Sequence, residues 1–202
     1  MLRVVADGET SSELEVLQFL STPEMRSHPG NHTLPMLQVL YFEKWKFKFA
    51  VFPMSGGYPC SPWFRHLDEV LDCIGQTLEG LTFLHENLIA HRDIAEENIL
   101  INHMKCRTQP GSGSPPFRSL FPVRYLFIDF EYAVRFPKDS DPSTRLVSPI
   151  EGIERFGAPE TKNDTDYCPF AADVFNLGFF YFLKFRVRRC GVARKLTNLM
   201  II

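Results

Sequence analysis

The chain lacks any long hydrophobic run. Its most apolar stretch, residues 174–183, is too short to cross a bilayer and passes directly into Lys184, Arg186, Arg188 and Arg189. It also lacks charge of one sign: 22 basic against 24 acidic side chains leave a formal net charge of -2 over 202 residues. That balance gives no electrostatic footprint for nucleic acid or for an anionic membrane surface. The six cations among residues 184–195 read as a solvated helix face. Paired cysteines are missing as well. Cys60, Cys73, Cys106, Cys168 and Cys190 stand far apart, without the short spacings of a structural metal site. An odd count and the lack of a secretory leader point to reduced thiols, hence a cytoplasmic or nuclear protein. No internal repeat is visible.

What is present is apolar material for a core: 45% of residues are hydrophobic and 19 are Phe. Ser11 and Ser12 precede apolar positions at Leu14, Val16, Leu17, Phe19 and Leu20, which predicts a short helix ending before Pro23. Two apolar runs, residues 36–42 and 47–54, flank Glu43-Lys44-Trp45-Lys46 and predict an antiparallel hairpin. Ser55-Gly56-Gly57-Tyr58-Pro59 then breaks the pattern. Over residues 62–87, Leu67, Val70, Leu71, Ile74, Leu78, Leu81 and Leu84 recur at steps of three and four, predicting a long amphipathic helix. Residues 98–102 and 125–129 read as short strands. Residues 103–122 between them, rich in Pro, Gly and Ser, read as a surface insertion. A last helix is expected from Ala171 onward, with residues 174–182 in the core alongside 74–84.

The chemistry is concentrated in His91-Arg92-Asp93-Ile94-Ala95-Glu96-Glu97-Asn98, an H-R-D-x-x-x-x-N spacing. A hydroxyl-phosphorylating enzyme needs a carboxylate to accept the attacking hydroxyl's proton, and Asp93 offers one. Asn98 offers an amide oxygen for a Mg²⁺ that neutralises the transferring phosphate. Four specified positions would arise by chance in about one random chain per thousand of this length.

Three further motifs come after it in order: Ile128-Asp129-Phe130-Glu131, then Gly157-Ala158-Pro159-Glu160, then the D-x-x-x-x-G of Asp173 to Gly178. Together with His28-Pro29-Gly30-Asn31 upstream, they resemble a eukaryotic protein kinase catalytic domain, chiefly its larger lobe. The resemblance runs over roughly residues 3–183 and is most specific from 91 to 178; the wording around the motifs looks most like a divergent fungal kinase-like group. It implies an α+β two-lobed fold. Residues 1–57 would form an incomplete small lobe of sheet, helix and hinge. Residues 58–202 would form a truncated, mainly helical large lobe, with an activation segment at 129–160.

Carried over by position, the resemblance makes Asp93 the catalytic base, and Asn98 and Asp129 the Mg²⁺ ligands. It makes Glu13 the helix carboxylate that pairs with a phosphate-binding cation, a role for which Glu15 competes. His91 would be a structural residue, and Phe130 the aromatic beside Asp129. Arg92 would meet a phosphorylated residue among Ser140, Ser143, Thr144 and Ser148. Asp173 would hold the catalytic loop from beneath, and Glu160 would pair with an arginine, with Arg188, Arg189 and Arg194 as candidates. ATP would lie between the lobes near residues 54–58, with a protein as phosphoryl acceptor.

The departures are equally concrete. No glycine-rich G-x-G-x-x-G precedes Glu13, and Arg3 stands where the phosphate-binding lysine is expected. Ala95 replaces the lysine usual in serine/threonine kinases, and Glu96 and Glu97 beside it read as solvent-facing. Glu131 replaces the glycine after Asp129-Phe130, which should restrict the backbone there. Two other readings therefore stand beside a Ser/Thr protein kinase. One is a pseudokinase scaffold. The other is a small-molecule kinase of the choline or aminoglycoside type, in which Asp129-Phe130-Glu131 would be at home.

Overall fold

Aromatic and β-branched residues in short runs build the first sheet of the computed structural model, which describes residues 1–8, 10–103, 118, 120–150 and 157–186. Strands β1 (Leu2–Asp7), β2 (Gln38–Phe42) and β3 (Phe47–Val51) form an antiparallel sheet in the order β1-β3-β2. The turn between β2 and β3 falls at residues 43–46, as the sequence implies. A bulge between Val4 and Ala6 lets two successive residues, Val5 and Ala6, both be buried.

Helix α1 (Ser12–Leu20) starts at Ser11, whose Oγ accepts from the Leu14 amide at 3.1 Å and also donates to the Val5 carbonyl. A second, unforeseen helix, α2 (Pro23–Ser27), uses Pro23 as a first-turn residue behind the Thr22 cap. Asn31 fastens the two, its Nδ2 donating to the carbonyls of Leu20 (3.2 Å) and Met25 (2.9 Å).

Helix α3 (Leu67–Glu86) begins five residues later than its apolar pattern suggests. Residues 62–66 are needed elsewhere. Phe64 is buried beneath the Arg118 guanidinium, whose Cζ lies 4.1 Å from the ring centroid. Glu69 then caps the helix by accepting from the Arg65 amide at 2.7 Å. The buried face also differs from the expected stripe: Val70, Cys73, Thr77, Gly80, Leu81 and Leu84 point inward, while Leu67, Leu71 and Leu78 are exposed. Burial pushes the Cys60 thiol up to about 12 and raises Cys73 further, so neither is a reactive thiolate.

Past α3 the chain runs through short paired strands. Strand β4 (Ile89–Ala90) pairs with β7 (Val134–Arg135), and β5 (Ile99–Ile101) pairs with β6 (Tyr125–Phe127). Helix α4 (Pro169–Phe185) buries Ala172, Asp173, Leu177 and Phe180, and its Tyr181 hydroxyl meets Thr77 Oγ1 of α3 at 2.7 Å. The expectation that residues 174–182 form core holds for one face only: Leu177 and Phe180 are buried, while Val174, Phe175 and Phe182 are exposed. No helix of the described residues is long and apolar enough to cross a membrane.

A small lobe of sheet and short helices thus sits against a mainly helical part, an α+β architecture. The parts are tied by backbone: Leu34 donates to the Phe127 carbonyl (3.0 Å) and Ile101 to that of Gly57 (3.1 Å). Most of the expected insertion at 103–122 lies outside the described residues, as do Cys106, Cys190, Arg188, Arg189 and Arg194.

Candidate active site

Strand β4 feeds the chain straight into His91, and a buried carboxylate holds the loop beyond it. Asp173, with no solvent exposure, accepts from the amide of His91 through Oδ2 and from that of Arg92 through Oδ1, both at 2.7 Å. His85 Nε2 lies 3.2 Å from the same Oδ2. One helix carboxylate therefore orients two successive peptide units. It does so while Arg92 sits at φ 66°, a left-handed conformation that a non-glycine residue keeps only when its surroundings impose it.

His91 is fully buried and its partners set its tautomer. Nε2 donates to the Ile128 carbonyl at 2.9 Å, and Nδ1 accepts from the Asp93 amide at 3.3 Å. Its ring lies 4.8 Å from that of Phe130, itself 1% exposed. His91 therefore links the Asp93 loop to the Asp129 segment and touches no reacting position, which is a structural placement.

Asp93 and Asn98 come together. Asn98 Nδ2 donates to Asp93 Oδ2 at 2.7 Å and to the Asp93 carbonyl at 2.8 Å, and both residues are buried. The Asn98 amide nitrogen is thereby committed, leaving its Oδ1 as the atom suited to a hard cation. The Asn98 carbonyl accepts from the Ile128 amide at 3.0 Å, which carries the chain on to Asp129.

Asp129, at φ 66°, meets Arg3. Arg3 Nη2 lies 2.7 Å from Asp129 Oδ1 and 3.1 Å from Glu131 Oε2, and Arg3 Nε lies 3.0 Å from Glu13 Oε1. One guanidinium thus gathers three carboxylates from α1 and from the segment after β6. Glu13, not Glu15, faces Arg3; Glu15 instead accepts from Thr10 Oγ1. Burial pushes the Glu13 carboxyl up to about 7 against the pull of Arg3, with Asp129 and Glu131 adding to the rise. Burial opposes the Arg3 charge too, but the hydrogen bond to Asp129 and the three carboxylates outweigh it and raise its pKa.

The remaining sequence candidates lie around the expected activation segment. Arg92 spends its side chain on backbone carbonyls, of Ser148 (2.7 Å) and Tyr132 (3.5 Å). Ser148 is the candidate nearest that guanidinium, and its own Oγ donates to Asp166. Ser140, Ser143 and Thr144 make local turn bonds. Glu160 has no ion-pair partner among the described residues. Residues 151–156 of the expected activation segment lie outside them.

Sequence reasoning missed two contacts. Glu96 does not point to solvent: it pairs with Lys184 near the end of α4, and both line a cavity of about 510 Å³ beside Asp93. Lys184 is thus not part of a purely solvated basic face. Glu131, expected to act through backbone stiffness, joins Arg3 instead. Nothing in a linear sequence marks partners 88 and 128 residues apart.

A buried helix carboxylate anchors a loop that carries a paired Asp and Asn, followed by a second Asp, which is the arrangement that the resemblance to a protein kinase domain implies. The family model described as "Protein kinase domain" matches residues 64–187, more than half of the chain, and the chain belongs to that family. Residues 1–63, with Arg3 and Glu13, lie outside the match. The chain is also 37% identical over 105 residues to a "Light-sensor Protein kinase" of Ceratodon purpureus. That alignment covers 51% of this chain and 7% of the relative, so the chain spans a small fraction of the relative's length.

Proposed function

We propose that this domain transfers the γ-phosphoryl group of ATP to a Ser or Thr hydroxyl of a protein, with Asp93 as the base. The hydroxyl oxygen forms the new bond to phosphorus, the bond from that phosphorus to the β–γ bridging oxygen breaks, and the hydroxyl proton passes to Asp93. The observation that carries this reading is the 2.7 Å contact from Asn98 Nδ2 to Asp93 Oδ2 in a loop clamped by Asp173. A carboxylate held in one orientation is set for positional catalysis. Asn98 Oδ1 and the Asp129 carboxylate form an all-oxygen donor set suited to Mg²⁺, and these two residues would hold it. When bound, the ion supplies neutralisation of phosphate charge. Arg3, braced by Glu13, would face the phosphates, with residues 1–57 above the nucleotide and 58–202 below.

A second reading, a scaffold with little turnover, is favoured by one contact: Asp129 Oδ1 already accepts from Arg3 at 2.7 Å. Mg²⁺–ATP binding by the purified chain, read by thermal melting, and phosphoryl transfer to a protein substrate pool distinguish the two. We expect nucleotide to raise the melting temperature and Asp93→Asn to lower transfer by roughly 10²–10⁴-fold while leaving that rise intact. Transfer that survives Asp93→Asn overturns the assignment of the base. Stabilisation without transfer selects the scaffold.

A further inference from the structure

A second cavity, of about 400 Å³, lies away from Asp93, against residues 53–55 where the chain passes from the small lobe to the large one. Arg26, at the end of α2, and Arg124, just before β6, both line it, and no Asp or Glu does. Its other polar side chains are already engaged. Asn31 spends its amide nitrogen on Leu20 and Met25 and its oxygen on Thr33. Asn102 bonds to Pro122 and to the Arg124 amide, and the Ser55 hydroxyl donates to the Ile101 carbonyl. The arginines are different. Among the described residues the Arg26 guanidinium has no hydrogen-bond or ion-pair partner, and Arg124 has one bond, a long 3.4 Å to the Asn31 carbonyl. Leu20, Leu34 and Leu126 supply apolar wall between them.

We propose that this cavity binds an organic phosphate, with the phosphate on Arg26 and Arg124 and the apolar body against Leu20, Leu34 and Leu126. Two planar forks offer paired N–H donors matched to phosphate oxygens, and two charges suit a dianion better than a single carboxylate. The absence of acid in the lining leaves that charge uncompensated. The apolar wall distinguishes this site from a patch of surface cations, which would hold inorganic phosphate equally well. The position gives the ligand a structural reach. Arg26 comes after α1, which carries Glu13, and Arg124 precedes β6, which leads to Asp129. A bound phosphate would thus bridge α2, which Asn31 ties to the end of α1, and the chain entering β6. Binding here does not depend on turnover at Asp93.

Phenyl phosphate titrated into the full chain, followed by calorimetry and by amide NMR shifts, tests it. The expected result is binding at least about ten-fold tighter than inorganic phosphate, a difference of roughly 1.4 kcal/mol. The shifts should centre on residues 31–34, 53–55 and 124–126. The double variant Arg26→Ala, Arg124→Ala should lose at least about ten-fold in affinity with its melting curve unchanged, since both side chains are exposed. A phosphoserine peptide that binds tighter than phenyl phosphate marks a modified protein as the source; equal or weaker binding marks a free small molecule, and both support the site. Equal affinity for phenyl and inorganic phosphate, or binding indifferent to the double variant, overturns it.

Discussion

At Asp173 a single carboxylate satisfies two backbone amides that have no other route to a partner, because the loop they belong to has left β4 and turned through a left-handed residue. Truncation to Ala leaves the buried N–H of His91 and the part-buried N–H of Arg92 unmatched, at about 1–3 kcal/mol for a fully buried group and less for the other. Asp173→Ala should therefore lower unfolding free energy in urea by roughly 3 kcal/mol. Asp173→Asn, which keeps one acceptor oxygen, should lose less. Equal losses for the two would show that packing, not hydrogen bonding, is what the residue provides. His91, Asp93 and Asn98 were legible in the sequence as a set because their spacing is local, and Asp173 through its own D-x-x-x-x-G motif. Which hydrogen bond each one makes was not, since Asp173 lies about eighty residues from its partners.

Helix α3 shows where periodicity misleads. Leu67, Leu71 and Leu78 satisfy the three-and-four rule yet face solvent, and at Gly80 neighbouring chain comes too close for a side chain. A Cβ on Gly80 would sit 2.7 Å from His32 Cβ and 2.9 Å from Phe127 Cε2, both on chain that joins the lobes. Alanine gains about 1 kcal/mol in helix propensity, but relieving such contacts costs about 1–3 kcal/mol. Gly80→Ala should lower the melting temperature by up to about 8 °C. Gly75, in the same helix with nothing within 4 Å of an added Cβ, gives the opposite sign: Gly75→Ala should raise stability by about 0.5–1 kcal/mol. If both substitutions move the melting curve in the same direction, propensity outweighs packing and the close approach is not a constraint. An apolar count along a helix reports only that a face is buried. The residues standing opposite decide which face, and how near they come.

Across the whole molecule the lobes are joined by charge as well as by backbone, through Arg3 with Glu13, Asp129 and Glu131, and by the Arg135 guanidinium 3.4 Å from the Phe19 ring of α1. Burial raises the Glu13 carboxyl from an ordinary 4.5 to about 7, so the folded chain holds that proton more tightly than the unfolded chain. The resulting stability is fully present below about pH 4.5 and is lost as pH rises through about 7, a contribution on the order of 3 kcal/mol. Glu13→Gln should remove it: between pH 5 and 7.5 its unfolding free energy should fall less steeply than that of the parent chain. Parallel pH profiles would mean that Arg3 neutralises Glu13 fully and the burial cost is not expressed.

By itself the sequence determined the kinase family, the H-R-D loop with its Asn, the helices α1, α3 and α4 to within a few residues, and the β2–β3 hairpin with its turn at 43–46. All of these rest on interactions within a few residues or on motifs with fixed spacing. The tertiary structure decided which carboxylates share Arg3, where Lys184 finds Glu96, which faces of α3 and α4 are buried, and that Arg26 and Arg124 line one cavity. Apart from Glu13, ten residues from Arg3, those pairings join residues about 90 to 130 positions apart. Electrostatic and packing energies depend on distance through space, and a linear pattern carries no record of it.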